Sequence, residues 1–168
     1  MAEIISIGLT SLQIGDIAVD GGMGTVLAAV GNTFEGSAVL TQEDGEKTEF
    51  FIEESDDPIE TITKKGAITL EWAIVDYTPA TLASVLGGTV TGVGAAAVWN
   101  AAADIPSIEK SIELISKKGV KYQIPRAKIE AKIDVKFSKK EIALVRIKAT
   151  VMSPTKAGTA SMMISKVA

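Results

Sequence analysis

The most regular pattern in the chain is Ala-Lys-Ile-Glu-Ala-Lys-Ile-Asp-Val-Lys-Phe at 127–137, apolar at every odd position and charged at every even one. A period of two predicts a strand with one dry face and one ionic face. Ser138, Lys139 and Lys140 supply a polar turn, and residues 143–151 alternate in the same sense, broken only at Leu144. Together they predict a long antiparallel hairpin, ended by Ser153 and Pro154. Weaker alternation places Ile68, Leu70, Trp72 and Ile74 on one face of 67–76, and Val120, Tyr122 and Ile124 on one face before Pro125. Residues 37–40, 49–53, 59–63, 108–115 and 160–164 read as further strands, punctuated by Gly, Asp and Lys clusters.

One helix interrupts this pattern. Thr78 offers an N-cap hydroxyl and Pro79 occupies the first helical position, where a missing N–H costs nothing. Leu82, Val85 and Leu86 form one stripe, and Gly87-Gly88 stops the helix, which is expected at about 79–86. The expected fold is mainly β: an antiparallel β-sandwich or barrel with this one short flanking helix. The acidic stretch 43–57 reads as a solvated hairpin tip or loop, and the Gly/Ala-rich stretch 89–103 around Trp99 as a mobile or assembly-dependent loop. Small side chains offer little to bury, and glycine raises the cost of ordering.

Length adds that 168 residues make one domain with a full core. The start, Met1-Ala2-Glu3, has no basic leader and no apolar run of membrane-spanning length follows, so synthesis in the cytoplasm with no membrane partner is expected. Charge changes the picture more. Up to Ile105 the chain holds sixteen Asp/Glu against three Lys/Arg; from Pro106 it holds five against fourteen. Such segregation favours copies meeting with opposite signs facing, head to tail.

The candidate chemistry is thin. With no cysteine and no histidine, thiolate nucleophiles, disulfides and any Ser-His-Asp arrangement are excluded, and no enzyme and no cofactor are expected. The acidic stretch lacks the ligand spacing of a twelve-residue calcium loop. A carboxylate pair for glycoside hydrolysis would stand among too few aromatic platforms. Gly21-Gly22-Met23-Gly24 and Gly92-Val93-Gly94 carry no following Lys-Ser/Thr and read as turns. The lysines at 128, 132, 136, 139, 140 and 148, with Arg126 and Arg146, are interleaved with Glu130 and Asp134, which favours a mixed-charge surface over a nucleic-acid reader.

Several motifs in order carry a family resemblance: Glu-Glu-Ser-Asp-Asp-Pro-Ile-Glu at 53–60, Gly-Ala-Ile-Thr-Leu-Glu-Trp-Ala-Ile-Val-Asp-Tyr-Thr-Pro at 66–79, and the short helix ending Leu-Gly-Gly. Val-Trp-Asn-Ala at 98–101, Ile-Pro-Arg-Ala-Lys-Ile-Glu-Ala at 124–131 and the closing Met-Ser-Pro at 152–154 follow. Over roughly 31–154 the chain resembles the tail tube (major tail) proteins of long-tailed bacteriophages, relatives of the tubes of contractile injection and type VI secretion systems. The resemblance implies a structural virion protein of the phage tail, made in the bacterial host. Six copies would close into a ring, and rings would stack into a conduit for genome delivery. It implies as partners other copies of the chain, other tail proteins and DNA in passage without specific binding. Candidate subunit contacts are Glu53, Glu54, Asp56 and Asp57 on one side and Lys139 and Lys140 on the other, with Trp99 as a core plug or contact anchor. The alternative is a monomeric β-sandwich that binds or adheres.

Overall fold

The computed structural model describes residues 3–167. Met1 and Ala2, part of the start read above as lacking a basic leader, and Ala168 lie outside the described residues. The elements run β1 (Ser11–Gly15), β2 (Leu27–Ala29), β3 (Val39–Gln42), β4 (Glu46–Ile52), β5 (Ser55–Lys64) and β6 (Ile68–Ile74), then α1 (Pro79–Leu86) and β7 (Thr89–Thr91). After a 3-10 turn at Gly94–Ala96 come β8 (Val98–Asn100), β9 (Ile108–Ile115), β10 (Val120–Asp134), β11 (Leu144–Val151) and β12 (Met163–Lys166).

One antiparallel sheet dominates, in the order β2-β1-β9-β10-β11-β6-β3, with β12 beside the first part of β10. Among the described residues it does not close on itself, so the fold there is mainly β with one short helix and no barrel. Two separate hairpins, β4–β5 and β7–β8, stand outside it. The alternating apolar residues of β1, β6, β9, β10 and β11 meet in a single core, with Trp72, Ile112, Ile124 and Ile147 almost wholly buried. Leu82 and Val85 of α1 cover one side of that core. The helix begins as its sequence dictates: the Thr78 side chain accepts from the Thr81 amide, and Gly87, at φ 76°, donates its own amide to Ala83 O as the helix ends.

Proline at 125 does not end a strand. β10 runs through it for fifteen residues because the register slips between Ile124 and Ala127. There β10 also changes partner along one edge, from β12 at 120–123 to β11 at 127–134. A ring nitrogen without a hydrogen is tolerated at such a bulge, where no ladder bond is required of it.

Three expectations need correction. Residues 43–57, read as a hairpin tip or loop, are more than a tip: Glu46–Ile52 and Ser55–Lys64 pair as β4–β5 around a two-residue turn at Glu53–Glu54. Residues 89–103 hold the β7–β8 hairpin, with Val90 opposite Trp99. The hairpin strand expected to reach Phe137 stops at Asp134, and β11 starts at Leu144, leaving nine residues as a loop where a short turn was expected. Phe137, expected on the dry face, is 101% exposed, since no strand lies beneath it.

Candidate assembly surfaces

The β4–β5 hairpin is an arm built on the sheet. Gln42 pairs with Ile68 at the end of β3–β6, and Glu46 pairs with Lys64 four residues on, so the register is unchanged across the junction. The Glu43 amide donates to Ala67 O and keeps the two chains together there. The junction is tight enough to demand glycine: a Cβ on Gly66 would sit 1.9 Å from Glu43 O, and one on Gly45 would sit 2.4 Å from Lys64 O. Seven residues of β4 at strand rise carry the arm roughly 23 Å beyond the sheet.

Every residue of β4 is exposed, as is every residue of β5 except the half-buried Ser55. Phe50, Phe51, Ile52, Ile59 and Ile62 therefore lie in solvent. Near the tip the pairing is irregular, since Phe50 faces Glu60 but Ile52 faces Ser55. Between those pairs Phe51 alone faces the four residues 56–59, so the ladder is interrupted there, which accommodates Pro58 within the strand. The predicted contacts Glu53, Glu54, Asp56 and Asp57 are thus gathered at one tip, all exposed. None of them forms an ion pair among the described residues; the arm's one internal pair joins Lys47 and Glu49.

Lys139 and Lys140 lie in the β10–β11 loop, both exposed and both without an ion pair among the described residues. Pairing of β6 with β11 places this loop far from the arm. Val145 faces Ile74 at the loop's end of the sheet, whereas Thr150 faces Thr69 at the end from which the arm springs. Trp99 belongs to neither group. It is half-buried against the core, and its indole N–H donates to Gly87 O at 2.8 Å, so it fastens β8 to the end of α1.

The polar face of the sheet carries a mixed ionic ladder. Lys148 reaches Glu71 at 3.7 Å, Arg146 meets Asp134 at 2.7 Å, and Lys128 lies 4.0 Å from Glu130. Beside them Arg126 forks onto both carboxylate oxygens of Glu109, at 2.8 and 3.0 Å. Hydrogen bonds from the guanidinium groups hold the Glu109 and Asp134 carboxyls below their ordinary pKa, and Glu109 raises that of Arg126. Hydrogen bonds from Lys110 and Lys156 do the same for Asp16 and Asp20. A shallow groove of about 730 Å³ runs over this face, lined by Glu71, Glu130, Lys132, Arg146 and Lys148. Among the described residues no three carboxylates gather to hold a metal ion.

The apolar residues of the arm are what the sequence reading missed. The signal was present, three consecutive large apolar residues between Glu49 and Glu53, but the surrounding acids outweighed it. No protein-family model matches the chain, and no curated protein matches it in sequence.

Proposed function

We propose that this chain is a structural subunit that assembles with copies of itself, and specifically a tail tube protein whose six-membered rings stack into a conduit for phage DNA. The observation that carries the reading is the arm. A two-stranded hairpin with no sheet or helix against it is marginal in water, and one that also displays two phenylalanines and three isoleucines calls for a covering surface. The open sheet adds to this, since its terminal strands β2 and β3 each keep one unpaired edge that a neighbour's strand can extend. The ladder of alternating signs on β6, β10 and β11 suits a wall past which DNA slides, because paired lysines and arginines release few counterions to a phosphate backbone.

The test is sedimentation velocity with electron microscopy over a range of concentration and salt. Rings and tubes are expected. A monomer at every concentration would overturn the reading and favour a solitary binding module.

A further inference from the structure

We infer that the arm tip of one copy seats in a pocket beside the β10–β11 loop of the next. This rests on the assembly reading and assigns its repeating contact. The pocket, about 360 Å³, has an apolar lining of Phe34, Ile142 and Leu144 and a cationic rim of Lys136, Lys140 and Arg146. Phe34 and Ile142 are 42% and 54% exposed and lie open, with the buried Leu144 at the base. On the rim, Glu141 neutralises Lys136 at 3.3 Å and Asp134 neutralises Arg146 at 2.7 Å. Lys140, with Lys139 beside it, is left without a carboxylate among the described residues.

The arm tip is the complement. Phe50, Phe51 and Ile52 are exposed and run directly into Glu53 and Glu54, which also lack an ion-pair partner among the described residues. Apolar side chains fill the apolar pocket while the adjacent carboxylates meet Lys139 and Lys140. That arrangement gives burial at the centre and charge at the rim, as in protein interfaces generally.

A copy cannot satisfy itself in this way. The arm leaves the sheet at the Gln42–Ile68 end and the loop leaves it at the Val145–Ile74 end, with the length of β6 between them. The contact is therefore intermolecular, and two different surfaces meet. A heterologous contact whose donor and acceptor lie at opposite ends of one body propagates head to tail, closing into a ring where the rotation between copies completes a turn and building an open stack where it does not.

The chain has no cysteine of its own, which makes the contact directly testable. Full-length Ile52→Cys and Ile142→Cys proteins would be mixed under assembly conditions and oxidised. A cross-linked pair is expected from the mixture, well above what either protein yields alone. In parallel, Glu53→Lys/Glu54→Lys and Lys139→Glu/Lys140→Glu should each slow assembly at low salt about tenfold, and the fourfold exchange in one chain should restore the rate to within about twofold. All four residues are exposed, and circular dichroism with thermal melting verifies that each variant folds. If wild type assembles but the mixture shows no excess cross-link and the exchange does not rescue, the pocket is not the receptor, while the assembly reading stands. If wild type remains monomeric at the highest soluble concentration, both fail together.

Discussion

Hairpins β4–β5 and β10–β11 share one secondary structure and have opposite fates. Both are antiparallel and rich in charge, and Thr48 opposite Ile62 is as regular a pair as Ile129 opposite Ala149. In β10–β11 the alternation separates cleanly, so Ile129, Ile147 and Ala149 are buried while Lys128, Glu130 and Lys148 face water. In β4–β5 it does not. Parity puts Phe50 on one face with Glu60, and Lys47, Glu49 and Thr61 on the other, so neither face is dry enough to join a core. Strand pairing alone makes a hairpin; one apolar face makes it part of a body.

The sharpest test of that contrast is truncation. Ile147→Ala should cost about 2–5 kcal/mol in urea unfolding, because it opens a cavity under a side chain that is 2% exposed. Ile62→Ala in the arm should leave unfolding within about 0.5 kcal/mol of wild type. An arm substitution that destabilises the subunit as strongly as Ile147→Ala would break the distinction.

Next in size is amide exchange. In the dilute subunit the arm amides should exchange rapidly and those of 127–134 and 144–151 slowly; on assembly the arm should gain protection and the body should change little. Equal protection of the arm in both states would mean that it needs no partner.

A smaller effect concerns the core beneath β11. Trp72 is 2% exposed and its indole N–H is the one buried side-chain donor without a partner among the described residues. Trp72→Phe removes that unmet donor while keeping most of the ring, so the lost packing is offset and stability should stay within about 1 kcal/mol of wild type. A loss several times larger would show that the indole is bonded.

The smallest effect is with pH. The Glu109 and Asp134 carboxyls titrate below their unfolded values, so the stability they contribute is fully present above the ordinary carboxylate range and is lost as pH falls through their lowered pKa. Both pairs are solvent-accessible, so the change should be slight. Glu109→Gln should flatten the acid limb of a stability–pH profile and lower the neutral limb slightly without changing its slope. A loss between pH 6 and 8 would contradict the assignment.

How legible the chain was follows the same division. Helix α1 was readable to the residue because its signals, Thr78, Pro79 and Gly87, act within one turn. Strand β9 was equally readable, and β10–β11 declared itself by period. The break expected at Pro125 was misplaced because the compensation, a bulge and a change of neighbour, depends on β12 forty residues away. β1 was passed over: two apolar residues in five, Leu12 and Ile14, acquire meaning only opposite Leu114 and Ile112. The acidic and lysine candidates were grouped from the sequence, but where each group sits in the fold was not visible. That Glu53 to Asp57 crown an arm, and that Lys139 and Lys140 lie at the far end of the sheet, are facts of pairing.

The unbroken register through the glycine junction has one more consequence. Adding two residues to each strand of the arm would extend it by about 7 Å without turning either of its faces over. An odd insertion in one strand alone would invert that strand and present the wrong side chains at the tip. The arm is therefore a ruler with discrete graduations, and its span can be reset in whole steps with no substitution in the core that holds its root.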